Sequence, residues 1–323
     1  MESWVKSLIE IMRGGSLNAN GLPIPMDKAY CSEWAKDLNI PRGGGSTIIY
    51  TSCLYQMAPM INELVPWIEK VRGGSSLSTL ASAVSRVGLG GVLSKFAGLV
   101  IKPDKSDIDR ANGIVRNIAK ALMKAGINFG FLYEDEPYSG ALLHEIGAED
   151  AFLEYFENTV LKTFRKYGIK RVITIDPPHT HNVLVNVAPN YFKLDFEVVS
   201  YLDLIKNIKV RPKVSGDVVI HDSCLYARYL GKYDVYRSIL DNAGIKHVES
   251  PMITGREAST CCGGPLESLS PELSRKIAKI RLNHLSMLSK TVVTVCPICL
   301  ANLGRNAEGA VQVLDINEVL EVE

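Results

Sequence analysis

The stretch T-V-V-T-V-C-P-I-C at residues 291–299 runs from a β-branched segment directly into two cysteines. Similar short apolar runs recur along the chain, separated by helical patterns of ten or more residues. Buried strands that alternate with helices in this way indicate parallel α/β units. Strands are predicted at 47–50, 128–132, 171–175, 217–220, 247–249 and 291–295, and helices at 107–125, 149–166, 233–243 and 271–288.

Several of the predicted strands end in residues that can do chemistry. These residues are Cys53, Asp176, Cys224 and Cys296. In an open parallel sheet, ligands bind beyond the carboxyl ends of the strands. We therefore expect the functional site at that edge.

The chain also repeats itself weakly. The matching segments are T-S-C-L-Y-Q at 51–56 with D-S-C-L-Y-A at 222–227, Y-S-G-A-L-L at 138–143 with C-C-G-G-P-L at 261–266, and I-D-P-P-H at 175–179 with V-C-P-I-C at 295–299. The three matches occur in the same order, which favours duplication of one α/β unit. The predicted fold class is therefore α/β, with two pseudo-repeated Rossmann-like half-domains that have parallel sheets.

The repeat also predicts a domain organisation. Residues 1–45 form a helical extension, residues 46–205 a degenerate first half, and residues 206–323 an intact second half. The boundary lies near residues 205–216, where K-V-R-P-K-V-S-G breaks the pattern. The first half carries an additional helical insertion near residues 60–105, which could be a cap or a surface that faces a partner.

Composition excludes several classes of protein. The 323 residues are 46% hydrophobic and 22% charged, with a formal net charge of +1, so they lack the basic excess of a nucleic-acid binder. The longest apolar stretch, 87–101, is interrupted by Lys95 and is shorter than the roughly 20 residues that a bilayer requires. The N-terminus has no cleavage-site pattern, so we expect a cytoplasmic protein without a transmembrane segment.

Cysteine usage indicates metal or redox chemistry. Of seven cysteines, five lie in the last hundred residues: Cys224, Cys261, Cys262, Cys296 and Cys299. A structural zinc ion takes four ligands, and adjacent cysteines chelate one small ion awkwardly. Several irons remove both objections, and Gly263-Gly264 lets the backbone approach a bulky cluster. An iron–sulfur cluster therefore fits these cysteines better than zinc.

Other interpretations of the cysteines stay open at this point. Isolated cysteines are often small buried hydrophobes, and we interpret Cys31 in this way. The C-x-x-C pair could be a redox dithiol, although its sequence context does not fit, and intracellular disulfides occur in some thermophiles. A zinc-stabilised scaffold without a redox role is a further alternative.

The second half resembles a known family. The spacing C-x36-C-C-G-x32-C-x-x-C is similar to that of the cysteine-rich "CCG" domain, and the resemblance extends to H-D-S-C-L-Y-A-R-Y-L-G-K-Y-D at 221–234 and V-T-V-C-P-I-C-L-A-N-L at 293–303. This domain occurs in the B-type and D-type subunits of heterodisulfide reductases and in the iron–sulfur subunits of glycolate and lactate oxidases. The C-x-x-C-x-x-C runs of fused family members are missing from this sequence.

The resemblance implies a function and a ligand set. Cys224, Cys261, Cys262, Cys296 and Cys299 would bind one noncubane [4Fe–4S] cluster that reduces or forms a disulfide, free or protein-bound. His221 and Asp222 would supply hydrogen bonds or protons beside it, or they only satisfy polar groups at the end of a strand. Electrons would pass to or from a flavoprotein or a ferredoxin-like subunit. The alternative function is an electron-transfer subunit of a flavin-dependent 2-hydroxyacid dehydrogenase.

The first half departs from the pattern of family members with two clusters. Only Cys53 remains there, while Tyr138 and Ser139 stand where the cysteine pair should be. We therefore predict no iron–sulfur cluster in residues 46–205. A remaining group could hold zinc, or the segment P-P-H-T-H at 177–181 only lines a groove between the halves. The members of this group are Cys53, Asp176, His179 and His181.

Overall fold

A computed structural model describes residues 9, 12, 17, 21–24, 26–43, 45–73 and 103–322. Its strands are β1 Thr47–Tyr50, β2 Arg171–Thr174, β3 Glu197–Ser200, β4 Val210–Pro212, β5 Val218–Ile220, β6 His247–Val248, β7 Thr291–Thr294, β8 Gln312–Asp315 and β9 Leu320–Val322. The strands are short, and the central ones are buried almost throughout because their residues are mostly β-branched and apolar.

Helices connect successive parallel strands. They are α1 Leu54–Gly73, α2 Lys105–Lys124, α3 Ala141–Glu145, α4 Glu149–Tyr155, α5 Lys162–Lys166, α6 His179–Asn182, α7 Tyr201–Ile205, α8 Tyr233–Asn242, α9 Pro271–Ser286, α10 Pro297–Asn306 and α11 Ile316–Val319. Wider π-helical turns occur at Phe156–Leu161, Val183–Val187 and Leu225–Tyr229. The first of these turns joins α4 to α5, so the helix predicted at 149–166 is present as one continuous rod.

The two halves have the same sheet topology. In the second half the strand order is β6-β5-β7-β8, and all neighbours are parallel. In the first half the order is β1-β2-β3, also parallel, and Gly130 forms a parallel bridge with Ile48 on the free edge of β1. With that edge segment counted, both sheets follow the chain order 2-1-3-4. The predicted α/β class with repeated parallel sheets is confirmed.

One predicted strand is only partly formed. Residues 128–132 make two isolated bridges, Arg42 with Phe131 and Ile48 with Gly130, instead of a continuous ladder. The backbone N–H of Gly130 donates to Thr47 O, and Gly130 O accepts from Ile49, both at 2.9 Å. After that point Tyr133 adopts a φ of +54° and the chain turns away, which ends the pairing early.

The halves meet across the carboxyl ends of their strands. The Tyr55 hydroxyl, just beyond β1, donates to Asp315 Oδ2 at the end of β8 at 2.8 Å. Asn317 Nδ2, beyond β8, donates to the Tyr201 hydroxyl, beyond β3, also at 2.8 Å. Helix α1 packs along α10, where Arg305 donates to Asn62 Oδ1 at 2.6 Å. Residues that follow the strands of one half are therefore brought against those of the other half.

A disulfide fixes the segment before β1. Cys31 is bonded to Cys53, and both are 3% exposed. Trp34 packs in the same region against Phe131, with ring centroids 4.8 Å apart. The interpretation of Cys31 as an isolated buried hydrophobe is therefore wrong, because its sulfur faces a second cysteine brought there by the end of β1.

Two sequence predictions fall largely on residues outside those described. These are the helix at the start of the chain and the insertion near residues 60–105, of which the structure describes 60–73 as part of α1 and 103–105. Within the described residues, no helix combines the length and the apolar character needed to cross a bilayer.

Candidate iron–sulfur site

The first cysteine of the candidate site follows the central strand of the second sheet. After β5, the residues His221, Asp222 and Ser223 are buried, and Cys224 opens the π-helical turn Leu225–Tyr229. The Asp222 carboxylate accepts two hydrogen bonds from Arg237, at 2.8 and 2.9 Å, and one from the backbone N–H of Arg256 at 3.1 Å. This buried, bidentate ion pair fixes the loop that presents Cys224.

The adjacent cysteines depend on the two glycines that follow them. Gly263 has a φ of +92°, and a Cβ there would lie 2.8 Å from the Ser274 carbonyl oxygen. A Cβ on Gly264 would lie 2.5 Å from Ile298 Cγ2 and 3.3 Å from Cys262 Sγ. The N–H groups of Gly263 and Gly264 point at Cys261 Sγ and Cys262 Sγ, each at 3.3 Å. Glycine therefore allows the backbone to approach and hydrogen-bond the sulfurs.

The C-x-x-C pair lies where β7 passes into α10. Cys296 is the N-cap residue of α10, Pro297 occupies the first helical turn, and Cys296 Sγ accepts from the backbone N–H of Cys299 at 3.2 Å. Helix N-termini favour negative charge, and proline is suited to that position because its missing N–H has no helical partner. The local sequence therefore presents a thiolate from a rigid strand–helix junction.

The three cysteine groups converge in space. Cys224 Sγ lies 3.7 Å from Cys261 Sγ, and the ligand atoms of Cys262, Cys299 and His221 lie within 4.8 Å of one another. Cys262, Cys296 and Cys299 are buried, whereas Cys224 and Cys261 are partly exposed. The open side of the site is therefore the side of Cys224 and Cys261.

The thiols divide into easily and poorly ionised groups. Hydrogen bonds from Cys224 and Cys262 lower the pKa of Cys261 to about 2. Burial opposes ionisation of Cys296, but hydrogen bonding from Cys299 and the charge of His179 outweigh it and lower its pKa to about 5. The hydrogen bond to Cys261 and burial raise the pKa of Cys224, and hydrogen bonds to neighbouring sulfurs raise those of Cys262 and Cys299. All five thiols can lose their protons together only when a bound cation offsets the repulsion between the negative sulfurs.

His221 adds an unpaired donor to this centre. Arg281 Nε donates to His221 Nδ1 at 3.0 Å, and because a guanidinium has only donors, the ring proton lies on Nε2. Nε2 is buried and has no hydrogen-bond partner among the described residues. Burial, and then the charge of Arg281, lower the pKa of the imidazole to about 3, so the ring is neutral at pH 7. An orphaned N–H beside cysteine sulfurs fits a site built for thiolates or sulfide.

The donor set as a whole fits an iron–sulfur cluster. Soft thiolates select zinc or iron–sulfur centres, and a zinc ion needs four ligands, fewer than the five cysteines gathered here. The N–H groups of Gly263 and Gly264 donate to cysteine sulfurs, and the unpaired His221 Nε2–H is left available to a bound group. Iron–sulfur clusters commonly receive such hydrogen bonds to sulfur. The residues present therefore suit a cluster of several irons.

The residues of the predicted zinc group in the first half do not converge. Cys53 is bonded to Cys31, and Asp176 Oδ2 accepts from the Thr180 N–H at 2.6 Å. His181 Nδ1 lies 2.8 Å from Thr174 Oγ1 within its own half. His179 points to the other half, where its Nε2 lies 3.3 Å from Cys296 Sγ. Among the described residues, the cluster of metal-ligating side chains with mutually close ligand atoms is instead His221, Cys262 and Cys299.

The titration of the first-half residues reflects their separate surroundings. Burial raises the pKa of Asp176 to about 6 and lowers that of His181 to about 4. Burial also opposes charge on His179, but Glu145 and Cys296 outweigh it and hold the pKa of that imidazole well above its usual value. His179 therefore behaves as the partner of two acidic groups.

Hydrogen-bonded side chains fill the positions that correspond to the cysteine pair. The Tyr138 hydroxyl accepts from the Leu142 N–H at 2.7 Å, and the Ser52 hydroxyl donates to Ser139 Oγ at 2.9 Å. Tyr138 and Ser139 are almost completely buried. The first-half position is thus packed with polar groups that satisfy one another.

Three residues that support the site were not predicted from the sequence. Arg281 lies on the buried face of α9 together with Ser274, Ala278 and Leu285. A charged residue on the otherwise small or apolar face of a helix could have been recognised in the sequence. Arg237 and Glu145 carried no comparable signal, because single charges on helices are usually solvated. Their roles depend on tertiary contacts to Asp222 and His179.

Comparison with known proteins supports the same centre. Residues 218–304, which include all five candidate ligands, match the CCG family, a cysteine-rich domain. The chain is 33% identical to the probable iron-sulfur-binding oxidoreductase FadF of Bacillus subtilis (strain 168) over 227 residues, 66% of this chain and 32% of that protein. It is 28% identical over 246 residues to the EtfAB:quinone oxidoreductase of Syntrophomonas wolfei, 70% of this chain and 33% of that protein.

A third relative is the D-type subunit of the dihydromethanophenazine:CoB--CoM heterodisulfide reductase of Methanosarcina mazei. It is 26% identical over 227 residues, 63% of this chain and 53% of the relative. The chain thus matches from about a third to about half of the length of these relatives. The chain carries a CCG cysteine-rich domain and is a relative of the iron–sulfur oxidoreductases and oxidoreductase subunits named above.

Proposed function

We propose that the chain is an iron–sulfur oxidoreductase subunit of the heterodisulfide reductase B/D type, with one noncubane [4Fe–4S] cluster. The observation that carries the proposal is the convergence of all three cysteine groups beside an orphaned His221 N–H. The five thiolates would hold the cluster: Cys224, Cys261, Cys262, Cys296 and Cys299. We do not extend the proposal to zinc, because the first-half residues that could bind it face different partners.

The proposed reaction is reductive cleavage of a disulfide, or its reverse. Cleavage consumes two electrons and two protons and yields two thiols. A cluster held by the five cysteines would supply the electrons, which it would receive from the redox partners. A disulfide approaches from the open side, since Cys224 and Cys261 are the partly exposed cysteines. His221 holds its proton on Nε2 toward the sulfurs, while Asp222 holds the loop through Arg237.

The proposed electron donors or acceptors are other redox subunits. The sequence contains no P-loop and no complete dinucleotide fingerprint, so a flavoprotein or a ferredoxin-like subunit would exchange electrons with this chain. The names of the relatives, which include a quinone oxidoreductase and a reductase subunit, support membership of such a complex. The five proposed ligands have to stay reduced in order to bind a cluster, which favours a reducing compartment such as the cytoplasm.

A viologen assay tests the disulfide reaction. The full chain, purified without oxygen, is expected to oxidise reduced methyl viologen when CoB–CoM heterodisulfide or glutathione disulfide is added, releasing two thiols per disulfide. The Cys261→Ala variant is expected to lose at least 90% of this rate, because the cluster needs all three cysteine groups of the second half in order to bind. Equal viologen oxidation with and without disulfide, or equal rates in the variant, would reject the proposed reaction.

A second candidate function is supported by one more similarity. The lactate utilization protein A of Oceanobacillus iheyensis is 29% identical over 133 residues, 39% of this chain and 52% of that protein. In this alternative the chain is the electron-transfer subunit of a flavin-dependent 2-hydroxyacid dehydrogenase and does not cleave disulfides. Reduction of the cluster by lactate or glycolate through a copurifying flavoprotein, without disulfide-dependent viologen oxidation, would favour it.

A further inference from the structure

His179 bridges the two halves of the molecule. Its Nε2 lies 3.3 Å from Cys296 Sγ, and its Nδ1 lies 2.6 Å from Glu145 Oε1. The His179 side chain is 6% exposed and that of Glu145 is 14% exposed, so solvent does not compete strongly for either contact. A buried chain of carboxylate, imidazole and sulfur therefore links the first half to a proposed cluster ligand.

The hydrogen-bonding capacity of the partners fixes what the imidazole does. An ionised carboxylate accepts hydrogen bonds only, and a thiolate bound to iron has no proton to donate. Because Nε2 faces the sulfur of Cys296, which when bound to iron could only accept a hydrogen bond, His179 has to present an N–H there. The contact with Cys296 is then an N–H···S hydrogen bond, and Glu145 orients the ring, as carboxylates do for histidines at metal sites.

The sequence repeat shows where these two residues come from. His179 in I-D-P-P-H occupies the position of Cys299 in V-C-P-I-C, and Glu145 ends the short helix α3 that follows Y-S-G, the counterpart of C-C-G. His179, at the position of a missing ligand of the first half, thus contacts Cys296 of the second half. Glu145, which follows the position of the missing cysteine pair, contacts His179. This arrangement follows from the two sheets facing each other across their carboxyl edges.

We infer that His179, oriented by Glu145, is a positioning residue that donates to the ligand Cys296 and raises the reduction potential of the cluster. The inference rests on the proposed function, since it requires a cluster on Cys296. Reduction adds negative charge to the cluster and its sulfurs, and an N–H donor stabilises that charge. The first half therefore acts on the cluster without holding a cluster of its own.

The test is a redox titration of the anaerobically purified full chain, followed by electron paramagnetic resonance, with iron and sulfide measured in parallel. His179→Leu is expected to keep the cluster but to reduce its equilibrium constant for reduction about tenfold, the low end of the effects that partners of metal ligands have on affinity or activity. For one electron this corresponds to a potential lower by about 59 mV. Glu145→Gln is expected to shift it in the same direction by less.

Matched variants separate this role from a general structural one. His179→Gln keeps a side-chain N–H, so its potential is expected to return part of the way to the wild-type value. His181→Gln alters a buried histidine whose Nδ1 contacts Thr174, and it is expected to leave the potential unchanged.

Several results would overturn the inference. A potential unchanged in both His179→Leu and Glu145→Gln would show that the dyad does not tune the cluster. Iron lost from a His179→Leu protein with unchanged circular dichroism would make His179 a ligand and not a donor. If His179→Leu fails to fold, Glu145→Gln decides alone. Wild-type protein without iron would refute the proposed function itself, which is a distinguishable failure.

Discussion

Cys296→Ala is expected to remove most of the iron and to destabilise the second half of the chain. Cys296 caps α10 through its sulfur and lies at the end of β7, so both the cluster and the strand–helix junction depend on it. Ligand binding of this kind contributes folding free energy, about 10 kcal/mol or more for structural zinc in small domains. We expect less than a fifth of the wild-type iron, and hydrogen exchange should show opening concentrated in residues 214–323.

A double variant provides the matched control. Cys31→Ala with Cys53→Ala removes a buried cysteine pair that lies outside the proposed ligand set. Loss of a disulfide spanning 22 residues costs about 3 kcal/mol by chain entropy, but the iron content should stay at the wild-type level. Wild-type iron and sulfide in Cys296→Ala would show that this ligand assignment is wrong.

Asp222→Ala is expected to give the second largest effect, a loss of about 3–5 kcal/mol in the free energy of unfolding. Asp222 is 0% exposed and Arg237 is 4% exposed, and the variant removes both hydrogen bonds from the buried guanidinium to Asp222, which leaves it only the Glu249 carboxylate. It also removes the acceptor for the Tyr236 hydroxyl and the Arg256 N–H. Urea denaturation monitored by circular dichroism measures the change.

The control for this prediction is an exposed aspartate. Asp217 pairs with Lys246 at 2.5 Å, but the two side chains are 41% and 75% exposed. Asp217→Ala should cost less than about 1 kcal/mol, because exposed ion pairs contribute little. Equal losses of unfolding free energy in Asp222→Ala and Asp217→Ala would contradict the structural role of the Asp222–Arg237 pair. The predicted role of Asp222 in supplying protons would then remain to explain why the residue is buried beside Cys224.

The sequence predicted the central strands well and missed four strands that lie at sheet edges. β1 was predicted with its observed bounds, and β2, β5 and β7 within one residue at each end, because fully buried strands appear as continuous β-branched runs. β6, also an edge strand, was predicted within one residue, but β3, β4, β8 and β9 were missed. These four lie at sheet edges and mix exposed with buried or half-buried positions over only three or four residues, so their patterns resemble loops.

The candidate site shows the same division between local and tertiary information. The CCG pattern is a local signal, and it indicated the cysteines that the structure brings together. The partner of His179 could not be predicted, because the orientation of one sheet against the other decides whether it meets Cys53 or Cys296. The Cys31–Cys53 bond was missed for the same reason, since nothing local marks two cysteines 22 residues apart as neighbours.

The most direct test of the account is metal and acid-labile sulfide analysis of the full chain purified without oxygen. One cluster predicts about four irons and about four sulfides per chain, without stoichiometric zinc. About one zinc and no sulfide would contradict the redox function and favour a scaffold. About eight irons, with part of the iron lost on Cys53→Ala, would contradict the conclusion that the first half acts on the cluster without binding one.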